Sequence, residues 1–161
     1  MATHRAYTVQ EANERIAWVE SVFERVDEHR ERWQKHSEGL QILDVLWGER
    51  VESEDNPDHG EYIQHRRGME AAARTIQGLV EEDLIGRGIR LPAGGLDNGI
   101  VDFPSTFEGR WIYLCWQRGE SQITHWHELD TGFRGRRDLV AEDAALMGHE
   151  RPLPDGTDLD F

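Results

Sequence analysis

Along the first third of the chain, apolar side chains return every three or four residues, and nearly everything between them is charged. Ala12, Ile16, Val19, Phe23, Val26, Arg30 and Trp33 step by four and three, the seam of a helix that packs on another helix. Thr8-Val9-Gln10-Glu11 supplies the start, a capping box in which hydroxyl and carboxylate each take a backbone N–H of the other residue. The spacing predicts a helix from Val9 to about His36. A second runs from Pro57 to Ile85, opened by Asn56-Pro57 as cap and first-turn proline and closed by Gly86. Its seam reads Tyr62, Arg66, Met69, Ala73, Ile76 and Val80. Joined through the acidic loop Glu49 to Asp55, the two make a long antiparallel helical hairpin over 8–86. Between them, Leu40 to Trp47 is apolar on almost every side of a helical wheel, more than one antiparallel partner can cover. A second subunit or the C-terminal part of the chain must cover the rest. The first, an isologous homodimer through the hairpin and Leu40 to Trp47, is the preferred expectation.

After Gly86 the texture changes. Gly88, Pro92, Gly94, Gly95 and Gly99 break any helix, and short apolar runs between turn residues predict three strands: Ile100 to Phe103, Trp111 to Gln117 and Gln122 to Glu128. Pro104 to Gly109 and a tight turn at Gly119-Glu120 link them into an antiparallel meander over 99–128. A two-residue hairpin at that turn pairs Leu114 with His125 and Ile112 with His127, which puts both histidines on the apolar face. A slip of one residue reverses every such assignment. The expected fold is therefore α+β: the helical hairpin packed on a small three-stranded sheet, one domain over 1–137 closed by a Gly/Arg turn at 131–137. The acidic stretch 138–161 reads as a solvated extension with a short helix from Ala141 to Met147.

Composition narrows the partners. At 161 residues, 37% hydrophobic and 31% charged, the chain carries enough apolar material for a core, so wholesale disorder is not expected. A formal charge of -14 repels phosphate backbones and anionic bilayers, which argues against nucleic-acid and membrane partners. No run of apolar residues approaches a membrane span, and the N-terminus has no apolar signal core, so the chain is expected in the cytoplasm. The single cysteine, Cys115, forms no intramolecular disulfide and no thiolate zinc cluster.

His125-Trp126-His127-Glu128-Leu129-Asp130 is the densest group of ligand-type side chains. Strand alternation points both imidazoles the same way, so His125, His127, Glu128 and Asp130 are a candidate set for a divalent zinc, iron or manganese ion. More often, such residues are hydrogen-bonded pairs that hold a strand end. Asp102, inside an apolar strand, needs a cation or donors; Arg136 is the expected partner, and a catalytic base the alternative. Arg134, Arg136 and Arg137, set between glycines, form the concentrated positive patch and a candidate anion site. Cys115 could act as a nucleophile near His127, but with no cationic neighbour in view it reads as a small core residue.

Three stretches together carry a resemblance: Tyr7-Thr8-Val9-Gln10-Glu11-Ala12-Asn13, Gly99-Ile100-Val101-Asp102-Phe103-Pro104, and Tyr113-Leu114-Cys115-Trp116 with Trp126 to Arg136. In order and combination the chain resembles the prokaryotic family called domain of unknown function 2203 (DUF2203), from residue 7 to about 137. The resemblance implies that Asp102, His127, Glu128, Asp130 and Arg136 belong to the family's pattern; it brings no activity with it. Two expectations follow. One is a non-catalytic oligomeric interaction or structural module. The alternative is a small metal- or anion-binding enzyme, possible hydrolysis resting on His127, Glu128 and Asp102.

Overall fold

A computed structural model describes residues 4–161. It contains helices α1 (Val9–Trp47), α2 (His59–Gly78), α3 (Gly95–Asn98) and α4 (Ala141–Ala144), and strands β1 (Ile100–Phe107), β2 (Arg110–Gln117), β3 (His125–His127) and β4 (Arg137–Asp138). The fold is α+β, with the strands in one antiparallel sheet in chain order. The sheet has four strands where three were expected, because Arg137–Asp138 pairs with β3. Two compact units share the chain: Glu24–Leu79, and the chain up to Phe23 together with Val80–Phe161.

The capping box forms as the sequence dictates. Thr8 N–H donates to Glu11 Oε1 and Glu11 N–H to Thr8 Oγ1, both at 3.1 Å. The Thr8 N–H is the main reason the Glu11 carboxyl sits below its ordinary value. In the sheet-bearing unit, Ala12, Ile16, Val19 and Phe23 of α1 are buried, and Phe23 stacks on Trp116 with ring centroids 6.3 Å apart. Trp116 shares its sheet face with Val101, Phe103, Ile112 and Leu114, all fully buried, so this face is the core.

β1 is longer than expected because Pro104 does not break it. The N and C=O of a strand residue point to the same side, and Pro104 C=O points away from β2, accepting Tyr7 N–H at 2.7 Å. The missing proline N–H therefore costs the ladder nothing. Ser105 Oγ donates to Tyr7 O at 2.6 Å instead. Strands β1 and β2 then join through Glu108-Gly109, both at positive φ (51° and 79°), as in a type I′ hairpin. The stretch 138–161, expected to be solvated, lies against the other face and edge of this sheet. Gly148 N–H donates to Thr106 O at 3.0 Å, Trp111 Nε1 to Pro154 O at 3.0 Å, and Met147 is fully buried. Met147 and the Pro154 carbonyl find partners there, which a count of the acids does not register.

In the Glu24–Leu79 unit, α1 runs on through Trp47, past the expected end near His36. The two helices pack antiparallel around Leu43, Val51 and Tyr62, with Leu40, Trp47 and Ile63 beside them. The α2 seam uses His65 and Ala72, while Arg66 and Ala73 are exposed, a rotation of one position from the expected seam. A repeated His-x-x-Gly word explains it. His36 lies over Gly68 and His65 over Gly39, where a Cβ would meet the imidazoles at 2.2 and 2.5 Å; the two Nδ1 atoms are 2.9 Å apart. Helix α2 ends at Gly78 in a wide turn, Leu79–Leu84, and a short 3-10 turn closes on Gly88, not Gly86.

Replacing Thr8 by alanine is expected to cost about 1 kcal/mol, read as a lower urea midpoint at unchanged slope. An unshifted midpoint contradicts this account of the helix start.

Candidate functional site

The register of β3 differs by one residue from the two-residue hairpin expectation. Tyr113 pairs with His127, Leu114 with Trp126 and Cys115 with His125. Both histidines therefore share a face with Asp102, Tyr113 and Cys115, and Trp126 takes the core side. The cause lies in Glu120. Its N–H donates to Gln117 O at 3.0 Å, while its carboxylate accepts the Gln117 N–H at 2.6 Å and Arg136 Nη2 at 2.7 Å. Ile123 N–H donates to Asn13 Oδ1 at 2.6 Å, so residues 118–124 form a loop and leave only His125–His127 for the strand. Burial raises the Glu120 carboxyl, but Arg136 and the Gln117 N–H outweigh it and hold it below its ordinary value.

Asp102 is 1% exposed. Arg90 Nη1 donates to its Oδ2 at 2.8 Å and His127 Nε2 faces its Oδ1 at 3.0 Å. The expected partner Arg136 is bound to Glu120 and to Cys115 O instead. Arg90 reaches Asp102 because their backbones exchange hydrogen bonds at 2.8 and 2.9 Å along the outer edge of β1. Its guanidinium lies 4.8 Å over the Tyr113 ring and its Nε donates to Asp160 O.

His127 Nδ1 lies 2.7 Å from Glu128 O, so both of its ring nitrogens face acceptors. Only the doubly protonated imidazolium satisfies both. Burial pulls the imidazole down, but the hydrogen bond and charge of Asp102, with the Glu128 carbonyl, outweigh it and set His127 above its ordinary 6.5. Cys115 stands opposite Asp102 across the β1–β2 ladder and is fully buried. Burial first, then the Asp102 carboxylate, pushes its thiol far up, so it stays protonated.

Among the described residues, Asp102, Cys115 and His127 form a group whose ligand atoms all lie within 4.8 Å of one another. A metal bound there has to replace the His127 proton against Asp102 Oδ1 and remove the Cys115 proton, beside the Arg90 cation on Oδ2. The ligand set expected from sequence does not converge. His125 contacts Thr124 Oγ1 at 2.9 Å and Asp138 at 3.2 Å; Glu128 takes a two-pronged bond from Arg110 at 2.6 and 3.0 Å; Asp130 is exposed. The Arg110 hydrogen bond is the main cause of the lowered Glu128 carboxyl. Nor do the three arginines of the turn converge: Arg136 serves Glu120, Arg137 lies 5.1 Å over the Trp126 ring, and Arg134 is exposed. Of the candidate catalytic residues, Asp102 and His127 meet, and Glu128 contributes its backbone carbonyl.

Sequence reasoning missed Arg90. It sits in the Gly/Pro-broken connection before Pro92, where no periodic pattern places a side chain, and its one signal is that a buried acid requires a cation.

Fold and site together define an α+β protein whose sheet encloses a buried carboxylate held between a guanidinium and an imidazole. The chain belongs to the family of uncharacterised conserved proteins DUF2203, whose model matches residues 5–139. No curated protein and no solved structure matches it.

The site implies a definite pH dependence. His127 binds its proton more tightly in the folded chain than at the ordinary 6.5 of the unfolded one. Its contribution to stability is fully present below that value and is lost as pH rises through the folded-state value. Urea midpoints followed upward from about pH 6 should fall across that window in the wild type and not in His127→Gln. The same fall in both proteins contradicts the assignment.

Proposed function

We propose that the chain is a non-catalytic, self-associating module of the cytoplasm, in which a second copy of the chain covers the outer flank of α1. The carrying observation is the stripe Ile42, Val45 and Leu46, 62%, 87% and 65% exposed, on two adjacent turns. With Glu38 and Gln41 these residues line a shallow depression of about 500 Å³. The same helix already buries Leu43 against α2, so the outer stripe is apolar surface that the helix pair does not use. An isologous contact brings two such stripes together, and each aliphatic side chain buried contributes about 1.5–3 kcal/mol. The like charge of the copies opposes their approach and is screened by salt, so association tightens as ionic strength rises. Among the described residues no helix is long and apolar enough to cross a membrane.

The bonding of Asp102 and His127 supports the same reading, since Arg90 and His127 each hold one carboxylate oxygen and both imidazole nitrogens face acceptors. A small hydrolytic enzyme with a divalent zinc, iron or manganese ion is the second reading. The closeness of Asp102, Cys115 and His127 favours it, and the Arg90 bond and the two imidazole protons oppose it.

Light scattering at micromolar concentration should report twice 18.6 kDa for the wild type and 18.6 kDa for Val45→Glu, with unchanged circular dichroism. A monomeric wild type, or a variant that remains dimeric, overturns the proposal.

A further inference from the structure

In a molecule of net charge -14, three arginines line one cleft of about 630 Å³ in the sheet-bearing unit. Tyr7, fully buried, closes one side and donates its hydroxyl to Arg87 O at 2.5 Å. Arg5 lies 4.4 Å over the Tyr7 ring and pairs with Glu11 at 2.5 Å, which neutralises that acid. Arg87 stacks 4.2 Å over Trp18, which fixes the plane of its guanidinium. Arg15, half-buried on α1, has no hydrogen-bond or ion-pair partner among the described residues. Its forked donors match a phosphoryl group. On another side of the cleft the His4 and Phe161 rings are stacked, 5.4 Å apart and within 5° of parallel.

We propose that this cleft binds a small organic phosphate, with the phosphoryl group on Arg15 and Arg87 and the organic part against Phe161 and His4. The volume lies in the range of small-molecule sites. The site is separate from the expected arginine patch at 134–137, whose charges are engaged or dispersed. It is also independent of the self-association reading, which rests on residues of Glu24–Leu79.

The test is calorimetry and phosphorus NMR on the full-length protein, with phenyl phosphate, inorganic phosphate, benzoate and phenol as probes. Phenyl phosphate should bind saturably at one per chain, more tightly than the other three. Arg15→Gln should weaken it about tenfold, the loss of one charge-assisted hydrogen bond, while Arg134→Gln leaves it unchanged. If Arg15→Gln does not fold, Arg87→Gln, at an exposed position, reads the same loss. Failure of phenyl phosphate to saturate, equal binding of inorganic phosphate or benzoate, or undiminished binding in the cleft variant overturns the proposal.

Discussion

The Asp102 carboxylate is sealed between two strands, and taking such an ion out of water costs several kcal/mol unless cations and donors replace the solvent. Much of the sheet-bearing unit is arranged around that requirement. Arg90 and His127 take one oxygen each, and each is held in turn: Arg90 by its backbone exchange with Asp102 and by Asp160 O, His127 by the Glu128 carbonyl. Tyr113 adds a ring beside both, 4.8 Å from the guanidinium and 5.5 Å from the imidazole. With both carboxylate oxygens and both imidazole nitrogens bonded, the group ties β1, β3 and the connection after α2 together.

The same arrangement closes the exposed edge of β1. Three partners line it in order: Arg90 at Asp102, Tyr7 at Pro104 and Gly148 at Thr106. Each comes from a different part of the chain, so one strand edge gathers the N-terminal segment, the connection after α2 and the C-terminal stretch. An edge so covered is closed to further strands. Tyr7 also links this edge to the arginine cleft, since its backbone pairs with β1 while its ring and hydroxyl engage Arg5 and Arg87.

How much of this was legible in the sequence depended on how local its cause is. The capping box was legible because all its atoms come from Thr8 to Glu11. The α1 seam is legible through Val26 because its apolar residues return at steps of four and three. The α2 seam was read one position off at alternate turns, since Arg66 and Ala73 fit an apolar stripe as well as His65 and Ala72 do. The deciding fact is tertiary, two imidazoles seated over Gly39 and Gly68, and its one trace in sequence is the His-x-x-Gly word in each helix. The sequence ends β1 before Pro104 because which side of β1 faces β2 is not a local property. The β3 register turned on a Glu120 carboxylate that bonds the turn and Arg136, and no count of turn residues contains that. Asp102 and His127 were singled out from their residue types, but the cation they needed came from outside the motif.

The central claim is that the buried His127 is a cation with both nitrogens bonded, part of the sheet's fastening. Nitrogen NMR of the imidazole in the full-length protein, just below the ordinary imidazole value and assigned by difference from a His127 variant, tests it most directly. The account predicts a hydrogen on Nδ1 and on Nε2 alike. A ring nitrogen without a proton, whether a bare lone pair or a metal-bound one, would contradict it.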